Sequence, residues 1–244
     1  MLFRSSSGNH AQALALAARN RDTKAYIVMP KNAPSVKIDA VKGYGGEIIF
    51  CEPTLQAREE TLEKIVKKTG ATFIHPYNDT RIIAGQATAA MELIEEIEGL
   101  DIIMAPVGGG GLLSGTSLAA TYLSPKTKVI GTEPEGADDA CRSFYSGEIV
   151  PSVNPKTIAD GLLTSLGRLT YPIIKKYVSD ILTVSEENII LAMKLIWERA
   201  KIIVEPSGVI PFAVVLQHKA KFAGKKVGII LSGGNVDIKN LPWS

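Results

Sequence analysis

The sequence has little cysteine, and Cys51 and Cys141 stand far apart. Two such thiols make neither a disulfide framework nor a zinc knuckle, and they suit a reducing cytoplasm. Histidine is equally sparse: His10, His75 and His218 have no second metal-type ligand at helical spacing. No apolar run approaches the ~20 residues of a membrane span, and residues 1–4 are too short for a signal peptide. Charge of one sign never accumulates. The 27 basic and 25 acidic residues are interleaved to a net +2, without the basic and aromatic tract expected of a nucleic-acid binder. Lysine is absent from the first 23 residues, Lys24 being the first. The expectation is a soluble cytoplasmic protein with no nucleic-acid or membrane partner.

What is present is a regular alternation. Short Ile- and Val-rich runs at 25–29, 47–50, 72–74, 102–107, 129–132, 181–184 and 227–231 read as strands. Between them, 10–20, 34–42, 59–69, 85–97 and 186–204 have helical period. Pro34 suits a first helical position, Gly43 and Gly70 suit helix ends, and Ser185 suits an N-cap with two acids behind it. Strand–helix alternation with short links implies parallel sheets covered by helices, hence an α/β fold. Two βα units precede 78–80 and a glycine-rich loop follows. This predicts a small lobe at 1–78 and a large lobe at 79–244.

Three glycine turns carry the chemistry. Gly108-Gly109-Gly110-Gly111 follows a strand and opens a helix, so backbone N–H groups and a helix N-terminus gather into an anion cradle. A ligand-free tight turn is the plain alternative, but four consecutive glycines lose much conformational entropy on folding. Glu133, roughly 20 residues on, occupies the place of a ribose-binding acid. Yet Gly-x-Gly-x-x-Gly is satisfied in no register, and no Gly-Lys-Ser/Thr follows. The loop alone leaves the identity of the phosphate open. Ser6-Ser7-Gly8-Asn9-His10 leads into an alanine-rich helix, as an anion site or as ordinary capping. Ser232-Gly233-Gly234-Asn235 follows the last strand. In a parallel sheet, ligands collect at the carboxyl ends of strands.

Together these turns resemble the signatures of fold-type II pyridoxal-phosphate enzymes, the serine racemase and threonine/serine dehydratase family with its tryptophan synthase β-like fold. The likeness extends through Met29-Pro30, Gly43-Tyr44-Gly45-Gly46, His75-Pro76-Tyr77-Asn78-Asp79, Ile83-Ala84-Gly85-Gln86, Thr157-Ile158-Ala159-Asp160-Gly161 and Val204-Glu205-Pro206, in the family's order. The resemblance implies pyridoxal 5'-phosphate held at its phosphate by Gly108, Gly109, Gly110 and Gly111, at its phenolic oxygen by Asn9 and at its ring nitrogen by Ser232. A hydroxyl at the ring nitrogen favours elimination and racemisation over transamination. It implies Ser7 as the acid/base on one face of the substrate α-carbon. Ser6, His10, Thr164 and Arg58 become candidates for the substrate carboxylate, joined by Asn9. Glu133, the carbonyl of Ala137 and Asp139 match a Mg²⁺ or Ca²⁺ site, hard oxygen ligands against the plain reading of a solvated acidic turn. Glu205 reads as cofactor-adjacent or as a helix terminator. The implied activity is dehydration and deamination of L-serine or L-threonine, with serine racemisation, in a homodimer.

One departure matters. The family's cofactor-bearing lysine precedes the Ser-Ser-Gly-Asn turn, where this chain offers none. The resemblance therefore implies a chain lacking the family's first strands, without a C-terminal regulatory domain, and inactive by itself. A catalytically dead homologue that binds cofactor or amino acid is the alternative, and a dinucleotide-dependent oxidoreductase a remote one.

Overall fold

The computed structural model describes residues 2–5, 8–33 and 35–243, with the backbone alone at 2–5, 55, 58 and 59. The chain divides into two compact units, Met1–Pro76 and Tyr77–Ser244. The division falls two residues before the one read from sequence, because Tyr77 and Asn78 pack on the second unit's own loops. The Tyr77 ring lies against Gly109, and the Asn78 side chain accepts from the Leu169 N–H at 2.8 Å.

The first unit runs β1 (Leu2–Ser5), α1 (Asn9–Arg19), β2 (Ala25–Pro30), α2 (Ser35–Gly43), β3 (Glu47–Cys51), α3 (Leu55–Thr69) and β4 (Thr72–Phe73). Its strands form one parallel sheet in the order β3-β2-β1-β4. β2 shows why a fully apolar run belongs here. Ile27 and Met29 are buried among α1 and α2 side chains such as Leu14 and Val41, while Val28 joins Ile65 and Ala71 on the other face. A strand covered on both faces has no polar alternation to display. Thr54 caps α3 by accepting the Ala57 N–H at 3.1 Å, and Gly70 ends it in the left-handed region at φ +66°. Pro34, read as a helix start, lies outside the described residues.

The second unit runs α4 (Thr80–Glu96), β5 (Ile102–Pro106), α5 (Gly111–Leu123), β6 (Lys128–Pro134), α6 (Asp139–Ser146), α7 (Thr170–Tyr177), β7 (Asp180–Val184), α8 (Glu186–Leu195), α9 (Pro206–Gln217), α10 (Lys219–Phe222) and β8 (Val227–Ile229). Its parallel sheet has the order β7-β6-β5-β8. Central β5 is buried along its length. Ile102 and Met104 pack with α8 and α9 residues such as Ile189 and Ile210, and Ile103 and Ala105 with Leu113 and Ile174 of α5 and α7. Each face of the sheet therefore has a helical layer.

The helix expected over 186–204 is shorter than its pattern. Ser185 caps α8 as expected, accepting the Asn188 N–H. Beyond Leu195 the chain widens into a π turn at Ile196–Ala200 and ends at Lys201 in the left-handed region, φ +61°. The reason is tertiary. The Trp197 indole N–H donates to the Val204 carbonyl at 3.0 Å, and the Glu205 N–H is taken by the Gly233 carbonyl at 3.0 Å. Residues 201–205 thus serve the turn after β8 instead of the helix. No helix among the described residues is long and apolar enough to cross a membrane.

Candidate cofactor site

The carboxyl ends of neighbouring β5 and β8 carry two of the three glycine turns. Gly108 to Gly111 leave β5 and are all buried, and their N–H groups donate no hydrogen bond among the described residues. Buried, unspent donors at a helix N-terminus call for an anion. The space around the loop admits glycine alone. A Cβ on Gly108 would sit 3.1 Å from the Leu162 Cα, and one on Gly109 2.2 Å from the Tyr77 ring. Gly110 stands before α5 at φ +87°, where its Cβ would meet Ile174 and Thr170 at 2.8 Å. These residues therefore fit the phosphate end of pyridoxal phosphate.

The Ser232 turn is tied down from behind. Buried Glu205 accepts the Asn235 N–H on Oε2 at 3.0 Å, and a Cβ on Gly208 would lie 2.8 Å from the Gly233 carbonyl oxygen. Glu205 therefore does not terminate a helix: it stands as the N-cap of α9, before Pro206, and holds the turn. Ser232 itself is exposed. The loop bearing Thr164, also exposed, follows a 3-10 turn at Asp160–Leu162, whose Gly161 N–H donates to the buried Ser207 hydroxyl at 2.9 Å. Neither Ser207 nor Thr170 was evident from sequence. Each binds a backbone atom, and such partners leave no residue-type signature.

In the first unit, α1 begins at Asn9 behind Gly8, with no side-chain cap on its first turn. Asn9 is exposed, and the His10 Nε2 is buried without a hydrogen-bond partner. Ser6 and Ser7 lie outside the described residues, and Arg58 is described only as a backbone position in α3.

Glu133 and Asp139 flank the turn after β6. The Glu133 carboxylate is fully buried and accepts the N–H groups of Ala140 at 3.0 Å and Cys141 at 2.9 Å. Burial pushes its pKa up to about 9 in spite of those two donors. Burial also raises that of Asp139, offset in part by the Ser152 hydroxyl, and neither Asp139 oxygen has a partner at hydrogen-bonding geometry. A buried carboxyl without hydrogen-bond partners, Asp139, beside the buried Glu133 is a placement that suits a cation. The intervening turn packs closely on residue 156: the Gly136 carbonyl accepts the Lys156 N–H at 2.8 Å and a Cβ on Gly136 would lie 1.9 Å from the Lys156 oxygen. Ala137 is buried in this turn. No cluster of three or more His, Cys, Asp or Glu side chains with metal-binding geometry occurs among the described residues. A cation here would rely on the two carboxylates, the Ala137 carbonyl and water.

The chain is 52% identical over 239 residues to β-hydroxyaspartate dehydratase of Paracoccus denitrificans, covering 98% of this chain and 76% of that protein. The crystal structure of serine racemase from Dictyostelium discoideum superposes with a TM-score of 0.92 at 50% identity, covering 97% of this chain and 77% of that one. Maize serine racemase does so with a TM-score of 0.94 at 43% identity, covering 98% and 74%. The family described as pyridoxal-phosphate dependent enzyme matches residues 1–233. The α/β fold read from the sequence is thus the fold of these relatives, and the chain belongs to the pyridoxal-phosphate dependent enzyme family.

Proposed function

We propose that the site serves α,β-elimination of water from a small β-hydroxy amino acid, with serine, threonine and 3-hydroxyaspartate as the substrate class and serine racemisation as a companion reaction. The observation that carries this reading is the buried glycine loop with unspent N–H groups at the end of β5, beside the Ser232 turn of β8. The names of the relatives supply the reaction class.

Pyridoxal phosphate, when bound, supplies the electron sink that makes the substrate α-proton acidic. The residues of this chain bind and orient it. Gly108 to Gly111 hold the phosphate dianion by their N–H groups. Ser232 offers the ring nitrogen a hydroxyl that does not protonate it, which disfavours transamination, and Asn9 donates to the phenolic oxygen. Ser6, Asn9, His10, Thr164 and Arg58 form the candidate set for the substrate carboxylate. Ser7 moves a proton at one face of the α-carbon. Loss of the α-proton and the β-hydroxyl as water, then hydrolysis, leaves a keto acid and ammonia.

The family's covalent link needs a lysine, and residues 1–23 contain none. A polypeptide of residues 1–244 alone is therefore expected to hold pyridoxal phosphate without a covalent bond. Borohydride reduction followed by mass spectrometry tests this. An unchanged chain mass with the cofactor spectrally bound agrees. A stoichiometric adduct on one lysine contradicts it and assigns the link to that lysine.

We assign Mg²⁺ or Ca²⁺ to Glu133, Asp139 and the Ala137 carbonyl. A cation at ~100-fold excess over its Kd adds about 2.7 kcal/mol to stability. Thermal melts with millimolar Mg²⁺ should rise for the parent chain and not for Glu133→Ala or Asp139→Ala. An equal rise in all three would place the ion elsewhere.

A further inference from the structure

We propose that Thr170, outside every motif that identifies the family, is the positioning residue that aims the anion loop; this rests on the phosphate reading of Gly108 to Gly111. In a trans peptide the carbonyl and the following N–H point in opposite directions. Whatever holds the Gly109 carbonyl therefore decides where the Gly110 N–H points. Thr170 holds it, its hydroxyl donating to the Gly109 oxygen at 2.8 Å. The same hydroxyl accepts the Gly167 N–H at 2.9 Å, and that N–H also approaches the Gly109 oxygen at 3.4 Å. Thr170 is fully buried and opens α7, and its own carbonyl receives the Ser114 hydroxyl of α5 at 3.4 Å. The clamp thus ties the loop to the two helices that flank it.

A clamp is needed because glycine peptides turn over readily. With glycine on both sides, the Gly109–Gly110 peptide has little steric preference of its own. Turned over, it would present a carbonyl oxygen to the anion in place of a donor. The left-handed Gly110, whose Cβ position lies 2.8 Å from the Thr170 Oγ1, leaves no room for a bulkier residue to enforce the orientation instead. The hydroxyl therefore does by hydrogen bonding what side-chain sterics do elsewhere.

The test compares Thr170→Val, which keeps shape and loses the hydroxyl, with Thr170→Ser, which keeps the hydroxyl. Affinities for pyridoxal phosphate, inorganic phosphate and phosphate-free pyridoxal are measured by calorimetry on each folded chain. Thr170→Val is expected to weaken pyridoxal phosphate and inorganic phosphate about tenfold, the effect of one misaligned charge-assisted donor. Pyridoxal should be unaffected, and Thr170→Ser should stay within about twofold of the parent. A merely structural role would weaken all three ligands alike, or none. If Thr170→Val does not melt cooperatively, Thr170→Cys takes its place, since a thiol is a weak donor. Equal phosphate affinity in the parent and the hydroxyl-free variant overturns the positioning role. A parent chain that binds neither phosphate ligand overturns the reading of the loop itself.

Discussion

Replacing Gly110 with valine is expected to raise the dissociation constant for pyridoxal phosphate about 100-fold. At φ +87° an L side chain is strained, and the added atoms would start 2.8 Å from Ile174 and Thr170 and 2.9 Å from Leu166. The loop must therefore shift, and at least two N–H donors lose their aim. Charge-assisted donors contribute ~1.5 kcal/mol or more each, and about 3 kcal/mol corresponds to that 100-fold loss. Stability falls as well, by ~1–2 kcal/mol for the backbone and ~1–3 kcal/mol for crowding. Gly99→Val is the matched control, since Gly99 also has positive φ (+68°) but nothing within 4 Å of its Cβ position. It should lose only the backbone share of stability and bind the cofactor as the parent does. Calorimetric titration of both variants decides the matter. Unchanged affinity in Gly110→Val would mean that the phosphate does not use this loop.

The second large effect is structural and lies one turn further along α5. A Cβ at Gly115 would stand 2.6 Å from the Ala87 N and the Ile83 carbonyl oxygen, so α4 and α5 touch backbone to backbone there. Gly115→Val must drive the helices apart. Overpacking at fixed backbone costs ~1–3 kcal/mol and more where no side chain can yield. Taking about 3 kcal/mol, the melting temperature should drop by ~6–12 °C for a chain of this size. Gly115→Ala should lie between the parent and Gly115→Val. Differential scanning calorimetry gives the answer, and a valine variant that melts with the parent would contradict the close approach.

Legibility from sequence followed the reach of each signal. Short apolar runs identified β2 to β8, most plainly β2 and β5, since strands buried on both faces need uninterrupted apolar residues. Four-residue β1 and the proline-containing α7 and α9 escaped notice. Pro211 inside α9 reads as a breaker, and a helix apolar on nearly every side has no stripe to detect. The opposite error, one long helix over 186–204, came from a pattern that continues past the point where Trp197 and Glu205 divert the chain. In the site, the glycine turns were visible because glycine itself is the signal. The parts that hold them, Thr170 on Gly109, Ser207 on Gly161 and Glu205 on Asn235, were not, because a side chain meeting a remote backbone atom leaves no local pattern.

The central claim is that the buried glycine loop after β5 binds the cofactor phosphate. Its most direct measurement is a ¹H–¹⁵N spectrum of chain labelled at its 22 glycines, recorded while pyridoxal phosphate is added. The amides of Gly108 to Gly111 should move most, whereas phosphate-free pyridoxal should leave them in place. Saturable binding that leaves those four amides in place, or no binding up to millimolar cofactor, would contradict it.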